Sequence, residues 1–337
     1  MRQGKYTIGD IADQLGVSRA TVSRAMNGAP GVGPELRKKI LEFAKELGYK
    51  PNTVAQSLSK GNMKIIGLIF GDVRNPFYAE LTFYIQMALN KYGYTVMIFN
   101  SEYSARQEQG FIEMARQFCL AGLILFTAQT DKDNLPEQTE ELPFVLVNRS
   151  LDTAQCDSVT MDNFKAGYIA AMHLIELGHR RIGFVRGQAM SSASVQRFEG
   201  YRQALKNWSL TLNEEDIMEG DLKMPTGYEM ARFFFQREER PTGLIVANDM
   251  MSLGILDWCN ENGVKIPEEL SIVSFDNIDF SRIHGIELTT VSQHVREMGE
   301  KAAELMIRRI REPQAEYKRI ILEPTLIVRN TTMEYKE

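Results

Sequence analysis

The chain has 337 residues, with 39 Lys+Arg against 44 Asp+Glu and a formal net charge of −5. That length implies two or three domains, and 44% hydrophobic with 25% charged residues excludes a disordered or fibrous chain. The three cysteines, Cys119, Cys156 and Cys259, form no CxxC pair, which argues against a disulfide scaffold or a structural zinc site.

The N-terminal MRQGKYTIGDIADQ has no apolar stretch of the kind that marks a secretory signal. No apolar run approaches the ~20 residues of a membrane span, so a cytoplasmic protein with no membrane partner is expected. Charge is unevenly placed. Residues 1–61 hold ten Lys/Arg and five Asp/Glu, a balance of +5, which leaves −10 on the other 276. A small basic module joined to a large acidic one suggests a polyanion reader attached to something else.

Residues 5–50 read as three short helices. Thr7 caps the first, with Asp10 three residues on, and Ile8, Ile11, Ala12 and Leu15 form its apolar stripe. Gly16 ends it, Val17 turns inward, and Ser18 caps a second helix over 19–27. A third starts at Pro34 and stops at Gly48. On the second helix Arg19, Ala20, Ser23, Arg24 and Asn27 share one short, polar, basic face, opposite Val22 and Met26. Two helices joined by a tight turn, with arginines on the exposed face of the second, suit a helix-turn-helix entering a major groove.

The segment TVAQSLSK (53–60) is too short to hold a helix alone in water. Its apolar edge, Val54, Ala55 and Leu58, can order against a partner copy or a nucleic-acid groove; otherwise the segment is a flexible linker. From residue 63 strand-like runs alternate with amphipathic helices: KIIGLIF, TVMIF, AGLILF and FVLVN, then RIGFV, GLIVAN and LSIVSF. The pattern runs twice, which predicts two α/β lobes with mostly parallel sheets, and runs at 288–291 and 320–328 read as late strands returning to them.

In doubly wound sheets, ligands sit outside the carboxyl ends of strands. Asp72, Asn75, Phe77, Asn148 and Arg149 fall there in the first lobe, and Arg197, Asn248, Asp249 and Asp276 in the second. Planar carboxylate, amide and guanidinium groups bond vicinal hydroxyls in pairs, and Phe77 can cover an apolar sugar face. Alternatively, Asp249 and Asp276 cap helices, Arg149 forms an interlobe ion pair, and Phe77 belongs to the core.

The head sequence IGDIADQLGVSRATVSRAMNG, then ELRKKILEFAKELGYKPN and VAQSLS, resembles the lactose-repressor/galactose-repressor (LacI/GalR) family. So do IIGLIFGDVRNPFYAEL, LGHRRIGFVRG, RFEGYRQAL, ANDMMSLG, SFDNIDFS and LTTVSQ, in family order over essentially the whole chain.

The resemblance implies an all-α helix-turn-helix head plus an α/β, periplasmic-binding-protein-like core of two doubly wound lobes. The head would span 5–52 and a hinge 53–62. One lobe would take 63–161 and 291–323, the other 162–290 and 324–337. It further implies a homodimer on double-stranded, pseudo-palindromic operator DNA, with Arg19, Ala20 and Arg24 at base edges and Ser18, Thr21, Ser23 and Asn27 at phosphates. Asn52 and Ala55 would lie along the minor groove and Leu58 would wedge the central base step. A sugar-like effector would bind between the lobes, and no metal or cofactor is expected.

Two positions depart from the family pattern. Leu222 stands where relatives often carry an aromatic, and Glu287 where they usually have proline. An enzyme and a secreted binding protein are the rival classes. The first lacks a GxGxxG, P-loop or GxSxG motif, and the four His show no metal-ligand spacing; the second lacks a leader and does not need a basic head.

Overall fold

The computed structural model describes residues 6–49, 63–126, 142–149, 156–188 and 191–336. The chain forms two compact units, residues 1–61 and 62–337.

In the head, α1 (Ile8–Leu15), α2 (Arg19–Met26) and α3 (Pro34–Glu46) surround a core of Ile11, Val22 and Ile40, with Ala12, Ala25 and Ala44 between them. The helix ends are set locally. The Thr7 backbone N–H donates to Asp10 Oδ2 at 2.6 Å while Asp10 N–H donates to Thr7 Oγ1 at 3.3 Å, a reciprocal capping box. Gly16 closes α1 at φ 65°, a left-handed conformation that a Cβ disfavours, and Val17 N–H reaches back to the Ala12 carbonyl. Ser18 Oγ accepts from Thr21 N–H at 3.0 Å and starts α2.

The larger unit contains two six-stranded sheets. The first is built from β1 (Met63–Phe70), β2 (Thr95–Asn100), β3 (Leu120–Leu125), β4 (Phe144–Val147), β5 (Asp157–Met161) and a late strand, β11 (Arg319–Leu322). Its order is β11-β5-β4-β3-β1-β2 and every pairing is parallel. The second contains β6 (Ile182–Arg186), β7 (Ile217–Glu219), β8 (Gly243–Val246), β9 (Ser271–Asp276), β10 (Thr289–Ser292) and β12 (Thr325–Ile327). Its order is β12-β10-β9-β8-β6-β7, with only β12 antiparallel.

Helices cover both faces of each sheet. On the first, α4 (Pro76–Asn90) packs with α10 (Val295–Arg311) on one face and α5 (Ala105–Gln117) lies on the other. On the second, α6 (Asn163–Glu176) pairs with α7 (Ser192–Asn207), and α8 (Met224–Phe235) with α9 (Asp249–Glu261). Strands covered on two faces need no alternation, and β3, β8 and β9 are buried along their whole length.

The chain passes between the sheets after β5, after β10 and between β11 and β12. The second passage falls later than expected. Val291 and Ser292 pair with Phe275 and Asp276 in the second sheet, and the apolar Val291 is buried there, so the chain leaves after 292 rather than 290. The 320–328 run divides at Glu323 and Pro324, sending β11 to one sheet and β12 to the other. Among the described residues, no helix is long and apolar enough to cross a membrane.

Helices α6 and α7 touch backbone to backbone. A Cβ on Gly167 would lie 1.9 Å from the Arg197 carbonyl oxygen, and one on Gly200 would lie 2.0 Å from that of Phe164. Gly167→Ala is therefore expected to force the helices apart at a cost of about 1–3 kcal/mol. Thermal unfolding reads that loss, and an unchanged midpoint would show that the pair can separate freely.

Candidate nucleic-acid interface and ligand cleft

In the head, α2 buries Val22 and Ala25 and leaves Arg19, Ala20, Arg24 and Asn27 exposed, with Ser18 exposed at its N-cap. Thr21 and Ser23 are half-buried beside them. The helix ends at Met26, and Asn27 caps it, donating through Nδ2 to the Ser23 carbonyl at 2.9 Å. One solvent-facing surface thus carries two guanidinium groups on short, polar surroundings. Asn52, Ala55 and Leu58, and the whole 53–62 hinge, lie outside the described residues.

In the core, the carboxyl ends of the parallel strands of both sheets open on one cavity lined by residues of both lobes. The first lobe contributes Asn75, Phe77, Tyr78, Asn148 and Arg149. Asn75 caps α4, its Oδ1 accepting from Phe77 N–H at 3.0 Å, which fixes where the Phe77 ring begins. Tyr78 stacks on Phe70 with ring centroids 5.4 Å apart, and Phe77 meets Tyr78 edge-on. Asn148 leaves β4 at φ 56°, and its buried Oδ1 has no hydrogen-bond partner among the described residues.

The second lobe contributes Ser191, Ser194, Arg197, Leu222, Asn248, Asp276 and Gln293 among others. Arg197 projects from α7, with Nε donating to Asn163 Oδ1 at 2.9 Å, Nη1 to the Ala247 carbonyl at 3.0 Å, and its plane 4.4 Å from the centre of the Phe275 ring. Burial lowers its pKa to about 10. Asn248 caps α9 through Met251 N–H and donates through Nδ2 to the Leu222 carbonyl, both at 3.0 Å. Across the cleft, Arg149 Nη1 donates to Ser191 Oγ, a direct link between the lobes.

Two expected cleft residues sit elsewhere. Asp72 lies at the cleft mouth near Tyr103 and Lys223, where it accepts from Arg74 Nε at 2.9 Å and Nη2 at 2.8 Å; that guanidinium holds its pKa down. Asp249 is not on the wall at all. It is fully buried behind it, accepting from Ile278 N–H at 2.9 Å and Thr290 Oγ1 at 2.7 Å. Its position after β8 matched the strand-end rule, but it opens α9 facing inward. From there it pins the turn in which Asp276 takes φ 111° and Asn277 φ 56°, a strain of the kind found where a side chain must be aimed at a site.

The sequence reading did not name Tyr78, Ser191, Ser194 or Gln293. The same strand-end rule reaches three of them, since Ser191 and Ser194 follow β6 and Gln293 follows β10. Leu222 does line the cleft, at φ 69°, so the aliphatic side chain that departs from the family pattern stands on the cleft wall. Glu287 holds φ 41° and donates its N–H to the Ile283 carbonyl, closing the loop without proline.

Burial and the Asp249 carboxylate behind it push Asp276 up to about 8. The unfolded value is about 3.9, so between about pH 4 and pH 8 the folded chain keeps a proton that the unfolded chain has released. Stability therefore falls as pH rises through that window. Burial pushes the His173 and His179 imidazoles down, which acts in the opposite sense. These histidines are unchanged in Asp276→Asn, so the difference between the two melting-temperature profiles reports Asp276 together with the buried Asp249 carboxyl beside it, which burial also pushes up. The variant is expected to gain on the wild type from pH 5 to pH 8, whereas parallel profiles would show an ordinary carboxylate.

Residues 7–52 match the model for bacterial regulatory proteins of the lacI family, and residues 171–332 match a periplasmic binding protein-like domain. A curated relative, the HTH-type transcriptional repressor PurR of Histophilus somni (strain 129Pt), is 30% identical over 96% of this chain and 98% of its own. The chain belongs to the LacI family. Two solved structures resemble it. The transcriptional regulator CelR–cellobiose complex is 28% identical with a TM-score of 0.71, covering 97% of this chain and all of that one. A LacI-family regulator from Enterococcus faecium with bound ribose is 27% identical with a TM-score of 0.73, covering 81% of this chain and all of that one. This LacI-family chain is a DNA-binding transcriptional regulator switched by a small-molecule effector, and not an enzyme.

Proposed function

We propose that this regulator is a cytoplasmic repressor that binds a pseudo-palindromic operator as a homodimer and reads a sugar-like effector in the interlobe cleft. The observation that carries the effector reading is the convergence of Arg149, Arg197, Asn148, Asn248 and Asp276 on one cavity beside Phe77. Paired planar groups around an aromatic face suit a polyhydroxylated ring, and structures similar to this chain contain cellobiose and ribose. On the DNA side, Arg24, Arg19 and Ala20 are read as base contacts, and Ser18, Thr21, Ser23 and Asn27 as phosphate contacts.

An exposed apolar stripe supports the dimer. Phe83 is 58% and Met87 52% exposed on the α4 face that also carries Glu80. The carboxyl of Glu80 senses Asp279 and Arg282, next to the exposed Phe280 and Ile283 of the other lobe. The stripe therefore crosses both lobes along one edge, and apolar patches of this kind on monomers mark contact surfaces.

Footprinting on fragments of the protein's own locus tests the reading. It is expected to show two protected half-sites related by a dyad. A single asymmetric footprint would contradict the homodimer, and no protection at low salt, with or without sugars, would contradict the operator reading.

A further inference from the structure

Buried guanidinium groups in this chain are normally matched by carboxylates. Arg309 Nε meets Asp157 Oδ2 at 2.7 Å, and the part-buried Arg181 and Arg237 converge on the buried Asp216 at 2.7 Å each. The cleft breaks that pattern. Arg149 and Arg197 are 7% and 6% exposed, yet among the described residues their hydrogen-bond partners are all neutral: the Ser191 hydroxyl, the Asn163 amide oxygen and the Ala247 carbonyl. Neither lies within 4 Å of a carboxylate oxygen among those residues. A buried charge without a counter-charge is unfavourable unless something else supplies one.

Among the described residues, Asp276 is the only acidic side chain lining the same cavity. Burial and the Asp249 carboxylate push it toward its protonated form, while the Arg197 charge and the hydrogen bond from Gln293 Nε2 pull the other way. One weakened negative charge faces two fixed positive ones. The same wall also offers acceptors, since the buried Gln293 Oε1 and Asn148 Oδ1 have no partner among the described residues. An occupant that completes this wall brings hydroxyl donors for the two amide oxygens and a negative group for the two guanidiniums.

We propose that the effector is a polyhydroxylated molecule bearing one anionic group, a carboxylate or a phosphate, seated against Arg149 and Arg197. This rests on reading the cleft as the effector site. A neutral sugar would leave the excess positive charge uncompensated once the lobes close over it. An acidic sugar or a sugar phosphate supplies hydroxyls and counter-charge together, and a guanidinium takes either group in a forked, two-bond geometry.

The test is thermal stabilisation of the full-length protein at constant ionic strength. The probes are sodium phosphate, sodium acetate and matched sets: glucose with glucuronate and glucose 6-phosphate, and galactose with galacturonate. An anionic probe is expected to raise the melting temperature at a concentration at least tenfold below that needed by its neutral parent or, for phosphate and acetate, by sodium chloride. The carboxylate and phosphate members separate the two sources of charge. Arg149→Gln is expected to raise the required concentration tenfold or more, and Arg149→Lys to recover part of it, with circular dichroism verifying that both fold. A neutral parent that stabilises as well as its anionic partner would overturn the charge assignment while leaving the effector cleft standing. No stabilisation by any probe, charged or neutral, would overturn both.

Discussion

Arg24→Ala is expected to flatten operator discrimination at one base pair in each half-site. Arg24 is exposed on α2, whose other side is locked against α1 and α3 by Val22 and Ala25. Its removal therefore leaves the helix in place and, on the proposed assignment, deletes only the base contact. A bidentate arginine–guanine contact contributes about 1–3 kcal/mol of discrimination. A symmetric dimer makes the contact twice, so the total loss is about 2–6 kcal/mol, or between about 30-fold and about 10⁴-fold in preference for the correct bases. Binding measured across a set of single-base operator variants decides it. Loss confined to one symmetric pair of positions fits base reading, whereas equal weakening on every sequence would make Arg24 a phosphate contact.

Asp157→Ala is expected to be the most destabilising single change in the core. Asp157 opens β5 with no exposed surface and accepts from Arg309 Nε at 2.7 Å and Lys318 N–H at 2.8 Å, with Arg308 Nη1 at 3.5 Å. It joins β5 to the end of α10 and the approach to β11, a stretch of chain 151 to 161 residues further on that returns to the first sheet. Removing the carboxylate leaves the Arg309 guanidinium buried and uncompensated, at a cost of about 3–5 kcal/mol. For a unit of this size the melting temperature should fall by roughly 6–20 °C. Replacing both partners, Asp157→Ala with Arg309→Met, should recover part of the loss. A single variant that melts with the wild type would show that the cluster does not hold the segments together.

These two residues also mark how far the sequence could be read. The face carrying Arg24 was legible because it depends on local signals: a Thr7–Asp10 capping box, a left-handed Gly16, a Ser18 cap and a helical spacing. The structure reproduces each within a residue. Fully covered strands such as 120–125 and 243–246 were legible as unbroken apolar runs. Asp157 was not, because β5 is only DSVTM, with three polar residues in five, and its strand character comes from neighbours on both sides. The edge strand β7 escaped because its three residues, IME, are too few to show a pattern. In the cleft, a rule based on strand ends reached the right loops but could not give side-chain direction. Asn248 and Asp249 are adjacent, yet one faces the cavity and the other the interior.

That inward Asp249 also explains the local chemistry. By pinning Ile278 and Thr290 it holds Asp276 at a positive φ, and its own charge raises the Asp276 pKa. The cleft is thus a polar wall whose fixed positive charge exceeds its negative charge. The lobes touch through Arg149 and Ser191. A ligand that engages both guanidiniums would strengthen that bridge, and coupling between two sites is typically worth 1–3 kcal/mol.

The most direct measurement is the affinity of full-length protein for its footprinted operator, by fluorescence anisotropy, with and without the cleft ligand found by thermal stabilisation, for the wild type and for Arg197→Ala. The account predicts a 5- to 150-fold ligand-dependent change in the wild type, and none in the variant, which should still bind the operator. A ligand response that survives in Arg197→Ala, or operator affinity indifferent to a ligand that occupies the cleft, would contradict it.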